Sequence, residues 1–155
     1  MPHLKLTSLP HLKLTSSDFT VYFWLEKRME KSEWVSSTIE VSCNDNWVFR
    51  AAPLWYFNEP ESLLSKVAAF LQGNKLDEPF SLIDDPIVKF SFDQGAEVLI
   101  LRLYYSLNLA DHLTVYLDRE QATYLSEYLQ FCLDKTSKET QAIQDLYDAG
   151  VFQGD

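Results

Sequence analysis

The chain has 155 residues, a hydrophobic fraction of 46% and a formal net charge of −10 at pH 7. This length favours one domain with a substantial core, and no apolar run approaches the roughly 18 residues that span a bilayer. The acidity argues against binding of nucleic acid, because the phosphate backbone would be repelled over most of the surface. The sequence also lacks the pattern of a signal peptide, so we expect a cytoplasmic protein without a membrane partner.

The negative charge is concentrated after residue 50. Residues 1–50 carry six basic and six acidic side chains, whereas residues 51–155 carry seven basic and seventeen acidic ones. Such an excess can serve solubility alone. It can also attract a basic partner by electrostatic steering, and the composition leaves both interpretations open.

The chain begins with a duplication. Pro-His-Leu-Lys-Leu-Thr-Ser occupies residues 2–8 and again residues 10–16. Two such copies are too few for a solenoid, although the alternating leucines of each copy could add a short edge strand. Because untethered termini are usually poorly ordered, we expect residues 1–17 to form a poorly ordered arm and residues 18–155 to form a single α+β domain.

Alternation of apolar and polar residues predicts the next elements as strands, at residues 19–25, 34–43 and 47–57. Asn44-Asp45-Asn46 predicts a turn between the last two, since Asn and Asp tolerate left-handed backbone geometry. Pro53 cannot donate to a sheet ladder, so we expect the third strand to bend or break there.

A helix is predicted after these strands. Asn58-Glu59-Pro60-Glu61 combines a capping residue, an early proline and acidic first-turn residues. Apolar residues then recur at helical spacing over residues 63–71, and Gly73 is placed to end the helix with a positive φ.

The second half of the chain alternates between predicted strands and helices. Strands are predicted at residues 80–83, 87–92, 97–109 and 111–117, with a hairpin loop at 93–96. Asp118 followed by Gln121 fits a capping box that opens a helix reaching about residue 135. A short helix follows at residues 139–149 and ends at Gly150.

This order of elements indicates the α+β class. The connections are too short for repeated βαβ crossovers, so we expect a mainly antiparallel sheet of about six strands, two main helices and a short C-terminal helix.

Catalytic residues are sparse. His3 and His11 lie in the predicted arm, where no scaffold would fix them, and His112 stands at a strand start, which favours a turn or surface role. The nucleophile, zinc-protease, P-loop and dinucleotide motifs are missing. Cys43 and Cys132 lie far apart and match no metal-ligand spacing; free thiols are favoured, and a disulfide remains open. We expect no enzyme, no catalytic residue, no cofactor and no metal.

Adjacent carboxylates offer the one alternative for catalysis. Asp84-Asp85 before Pro86 could hold a divalent cation, although such pairs usually form a solvated surface. A metal-dependent enzyme that uses Asp84 and Asp85 is therefore the third hypothesis.

The four tryptophans, Trp24, Trp34, Trp47 and Trp55, lie within 32 residues of one another. Aromatic platforms for single-stranded nucleic acid come with a basic groove, which this chain lacks. We expect these side chains to form core and sheet surface, with part of the group available as an exposed anchor.

Four sequence features in residues 38–135 carry a family resemblance. They are the turn at Asn44-Asp45-Asn46, the helical pattern Leu64-x-x-Val67-Ala68-x-Phe70-Leu71, the hairpin at Asp93-Gln94-Gly95, and the helix start Leu117-Asp118-Arg119-Glu120-Gln121. In this arrangement the chain resembles small bacterial immunity-type proteins that are encoded beside polymorphic toxins, such as the wall-associated kind. The resemblance implies an α+β protein without catalytic residues that binds a toxin. The duplicated N-terminus and the C-terminal helix depart from it.

The leading hypothesis is thus a non-enzymatic acidic protein, monomeric or dimeric, that binds a basic protein such as a toxin domain. The candidate contact residues are Asp77, Glu78, Asp84, Asp85, Glu127, Asp145 and Asp148. The alternative is a secretion-type chaperone or assembly factor, which would hold a client segment on exposed apolar surface and would commonly be a dimer.

Overall fold

The computed structural model describes residues 9–27, 33–106 and 110–154. These residues form eleven strands and three helices in one α+β domain whose strand pairs are antiparallel, which confirms the predicted class. The strands are divided among three sheets, and there are more of them than the six that the sequence predicts.

The first sheet has five strands, in the order β11-β1-β2-β4-β5. Its strands are β1 (His11–Thr15), β2 (Thr20–Leu25), β4 (Ser37–Cys43), β5 (Asn46–Ala51) and β11 (Phe152–Gln153). The predicted turn between β4 and β5 is confirmed, because Asn44 and Asp45 adopt φ of 51° and 65°.

The second sheet has four strands, in the order β10-β9-β8-β7. Its strands are β7 (Phe80–Ser81), β8 (Val88–Asp93), β9 (Val98–Tyr104) and β10 (His112–Leu117). Leu99, Leu101 and Leu103 alternate on the buried side of β9, as expected of a central strand.

A third, two-stranded sheet arises where two predicted strands break. Ser36 separates β3 (Trp34–Val35) from β4, and Pro53 lies between β5 and β6 (Trp55–Tyr56). The two short pieces pair with each other, Val35 opposite Trp55. Proline cannot donate a ladder hydrogen bond, so the break at Pro53 follows from its chemistry.

The three predicted helices are present as α1 (Glu59–Leu71), α2 (Arg119–Cys132) and α3 (Gln141–Asp148). Gly73 and Gly150, just past the ends of α1 and α3, take φ of +88° and +77°, as helix-terminating glycines do. α2 packs against α1, β1, β9 and β10 and so lies at the centre of the core. No helix within the described ranges is long and apolar enough to cross a membrane.

The expectation of a poorly ordered arm is corrected for the second copy of the duplication. Residues 11–15 form β1, an interior strand between β11 and β2. Leu12 and Leu14 are 0% and 2% exposed, so their burial holds the strand in the sheet. His11 is buried too and contacts the carbonyl oxygen of Leu9 through Nδ1 at 2.8 Å, so it does have a scaffold. The first copy, residues 2–8, lies outside the described residues.

The predicted capping box is only half formed. The Asp118 carboxylate accepts a hydrogen bond from the backbone N–H of Gln121 at 3.0 Å. The Gln121 side chain, however, turns to the sheet, where its Oε1 accepts from the backbone N–H of Thr15 at 2.8 Å. This buried amide therefore joins the start of α2 to the end of β1.

Candidate functional site

The seven candidate contact residues fall into two groups. Asp77 and Glu78 lie exposed in the connection from α1 to β7, and Asp84 and Asp85 lie in the connection from β7 to β8. Both connections flank the same short strand. The structure thus brings four of the seven carboxylates to the two ends of β7.

The other three lie on the C-terminal helices. Glu127 is half-buried on α2, whereas Asp145 and Asp148 are exposed on α3. Asp145 accepts a hydrogen bond from Gln141 within the same helix at 2.7 Å, and α3 packs beside β11. In the described parts of the chain, no hydrogen bond or ion pair joins this group to the residues around β7.

Exposed aliphatic side chains accompany the first group of carboxylates. Ile83 is 75% exposed and Leu54 is 38% exposed. Asp85 connects the two segments that carry these side chains. It follows Ile83 by two positions, and its carboxylate accepts a hydrogen bond from the backbone N–H of Leu54 at 2.7 Å. We call Leu54, Ile83, Asp84 and Asp85 the Ile83 patch. It combines an exposed aliphatic anchor with two carboxylates, of which Asp85 also has a structural role.

Glu59 holds the two backbone segments of the Ile83 patch together. Its two carboxylate oxygens accept hydrogen bonds from the backbone N–H groups of Tyr56, at 2.6 Å, and Ile83, at 2.9 Å. The side chain is only 4% exposed and lies in the first turn of α1, where the helix dipole favours a negative charge. The sequence indicates Glu59 only as a helix-start residue; nothing in the pattern reveals its bond to Ile83.

A buried network fixes the segment that carries Leu54. The Ser37 hydroxyl donates to the carbonyl oxygen of Pro53 at 2.6 Å and accepts from the indole N–H of Trp55 at 2.9 Å. Trp55 is fully buried between the rings of Phe23 and Phe80. Because the residues on both sides of Leu54 are anchored, its backbone is held in one position at the surface.

The remaining tryptophans divide between the core margin and the surface, as the sequence predicts. Trp24 and Trp34 are half-buried, and Trp47 is 40% exposed. Trp47 lines a shallow groove of about 400 Å³ along β5, together with Arg50 and Tyr105. The hydroxyl of Tyr105 donates to the carbonyl oxygen of Val48 in β5 at 3.1 Å. β5 is an edge strand of its sheet, so this groove runs along a sheet edge.

Glu40 is a second buried carboxylate that the sequence does not reveal. It is 0% exposed on β4, and the Nε of Arg50 on the neighbouring strand lies 3.3 Å from its Oε1. Neither oxygen has a hydrogen-bond donor in good geometry. A buried carboxylate with one ionic partner gives little net stability.

The structure also locates the residues considered for catalysis. His112 is exposed at the start of β10, with its ring beside that of Tyr104. Cys43 is half-buried and Cys132 is buried, and both are free thiols; burial raises the pKa of Cys132 to about 12. Within the described ranges, no three His, Cys, Asp or Glu side chains are grouped as ligands for a metal ion.

Comparisons with known proteins give no match: none of the protein-family models, curated proteins or solved structures searched is similar to this chain.

Proposed function

We propose that this chain is a non-enzymatic binding protein that captures a basic protein through the Ile83 patch, as an immunity protein does with its toxin. The observation that carries the proposal is the 75% exposure of Ile83 beside the carboxylates of Asp84 and Asp85. Interface energy is concentrated in a few apolar anchors, and surrounding charges give partner choice and association rate.

The rigidity of the patch supports this function. Glu59 fixes the backbone at Ile83, and Asp85 fixes it at Leu54. An anchor held in one conformation loses less entropy on binding than a mobile one. The toxin as partner rests on the sequence resemblance and on the acidic charge.

The α3 carboxylates are a weaker candidate for the contact surface. Asp145 and Asp148 are exposed, yet α3 turns its apolar residues Ile143 and Leu146 into the core. This part of the surface offers charge without an apolar anchor. Exposed charges without an apolar anchor raise the association rate but add little to the affinity of the complex.

The test measures binding of the protein encoded by the adjoining gene by isothermal titration calorimetry at 50 and 300 mM NaCl. We expect binding that weakens at the higher salt and falls by about tenfold or more for Ile83→Asp, since a central anchor is lost. The α3 variant Asp148→Asn is the matched control and should bind within about twofold of the wild type. Salt-independent binding, or equal binding by Ile83→Asp, would contradict the proposal.

A second candidate function is supported by the groove on β5. An edge strand can accept an extended peptide as an added strand, and Trp47 and Tyr105 provide apolar contacts there. This is the surface that a secretion-type chaperone or assembly factor would use. A dimer in light scattering, with client binding that depends on Tyr105 and not on Ile83, would favour this function over the first.

A further inference from the structure

The place that β1 occupies in the five-stranded sheet is defined by contacts to residues 10–15. The Tyr128 hydroxyl donates to the carbonyl oxygen of Pro10 at 2.8 Å, and the backbone N–H of Lys13 donates to Val151 at 2.7 Å. The backbone N–H of Thr15 donates to Gln121 at 2.8 Å. Leu12 and Leu14 fill the core. We call this place the β1 slot.

Each of these contacts uses either the backbone or a side chain that the first copy of the duplication repeats. Residues 2–8 are identical to residues 10–16, eight positions apart. Leu4 and Leu6 would take the places of Leu12 and Leu14. An eight-residue shift is even, so it keeps the leucines on the core face of the strand.

We propose that the β1 slot is a strand-binding site with two interchangeable ligands within the chain, residues 2–8 and residues 10–16. The second copy fills the slot in the structure described above, and the first copy fills it whenever the second is displaced or damaged. The chain thereby contains two segments that can each form the same interior strand.

Loop closure decides which copy is preferred. With the second copy in the slot, Thr15 pairs with Thr20, and residues 16–19 close the hairpin. With the first copy, Thr7 would pair with Thr20, and residues 8–19 would close it. A loop three times as long lowers the closure equilibrium by about fivefold. The exchange also gives up the turn hydrogen bonds between Ser16 and Phe19, each worth a further few-fold.

The experiment damages each copy in turn and measures urea unfolding. Leu12→Asp/Leu14→Asp disables the second copy. In the full chain we expect this variant to fold, with a folding equilibrium lowered by about fivefold for the longer loop and by a further few-fold for each lost turn bond. The same double substitution in a chain without residues 1–8 should not fold, whereas deletion of residues 1–8 alone should leave folding intact.

Val21→Asp is the matched control. Val21 is 2% exposed and lies opposite Leu14 on β2, but the chain has no second copy of β2. This variant should unfold whether or not residues 1–8 are present.

Hydrogen exchange identifies the copy in the slot. In full-length Leu12→Asp/Leu14→Asp, slowly exchanging amides should move from residues 11–15 to residues 3–7. The proposal is overturned if this variant is as unfolded with residues 1–8 as without them. It is also overturned if the variant folds without residues 1–8, because the slot then needs no intact strand.

Discussion

The backbone N–H of Ile83 donates a hydrogen bond to the carboxylate of Glu59 at 2.9 Å. This bond ties the first turn of α1 to the loop that presents the most exposed large hydrophobic side chain of the described residues. The other carboxylate oxygen accepts from Tyr56. One buried side chain therefore sets the geometry of the surface that we propose as the binding site.

Replacing Glu59 should destabilise the protein. Glu59→Ala leaves the partly buried N–H groups of Tyr56 and Ile83 without their protein acceptor, which should cost about 1–3 kcal/mol of unfolding free energy. Glu59→Gln keeps one acceptor oxygen and should cost roughly half as much. The measurement is urea unfolding followed by circular dichroism.

Glu61→Ala is the control for this prediction. Glu61 lies on the same helix, but its side chain is 54% exposed and contacts Lys135 at 3.2 Å. Its replacement should change the unfolding free energy by less than about 0.5 kcal/mol. If Glu59→Ala behaved like Glu61→Ala, the carboxylate bridge would not hold the patch.

The sequence predicts those parts of the fold that depend on neighbouring residues. Pro60 and Gly73 mark the two ends of α1, and Asn44-Asp45 marks a hairpin, because each acts through its own backbone geometry. The alternation in β2 likewise identifies its buried face. These features require no knowledge of distant contacts.

The sequence predicts only part of the candidate site, because the rest depends on contacts between residues that are far apart in the chain. Asp84 and Asp85 are found from local charge, but their nearness to Leu54 depends on a bond between residues 31 positions apart. The bond from Glu59 to Ile83 spans 24 positions. The interior position of β1 in its sheet depends on pairing with β11 at the other end of the chain. Long-range pairing of this kind leaves no periodic signal in a single sequence.

The Ser37 hydroxyl should matter more for stability than its small size indicates. Ser37→Ala removes the acceptor of the buried indole N–H of Trp55 and the donor to Pro53. We expect a loss of about 1–3 kcal/mol of unfolding free energy, measured by urea unfolding with tryptophan fluorescence. The neighbouring Ser36 is exposed, so Ser36→Ala should stay within about 0.5 kcal/mol. Equal effects at the two positions would show that the network does not contribute.

Charge removal should distinguish the two acidic groups in partner binding. Asp84→Asn on the Ile83 patch should weaken binding of the adjoining gene product by about three- to tenfold at 50 mM NaCl, and by less at 300 mM, because salt screens exposed charges. The double variant Asp145→Asn/Asp148→Asn on α3 should bind within about twofold of the wild type. Calorimetry at both salt concentrations makes the comparison. The reverse order of effects would place the contact on α3.

The Cys132 thiol should make the protein sensitive to alkaline pH. Burial raises its pKa to about 12 in the folded chain, whereas an unfolded thiol ionises near pH 8.5. The thiol therefore loses its proton at lower pH in the unfolded state than in the folded state. Its contribution to stability is fully present below about pH 8.5 and falls as the pH rises toward 12. At pH 10.5 the loss from this group should reach about 2–3 kcal/mol.

Cys132→Ala isolates that contribution. Tyr128, whose pKa is raised by burial and by the neighbouring Cys132 thiol, adds a further loss above about pH 10. This loss is larger in the wild type than in the variant, because the variant lacks the thiol. The unfolding free energy of the wild type should therefore fall by about 2 kcal/mol relative to that of the variant between pH 8 and pH 10.5. Urea unfolding at each pH measures this change. An unchanged difference would mean that the thiol ionises as readily in the folded chain as in the unfolded one.

Iodoacetamide at pH 8 provides a second measurement: half-buried Cys43 should be alkylated in the native protein, and buried Cys132 only after unfolding.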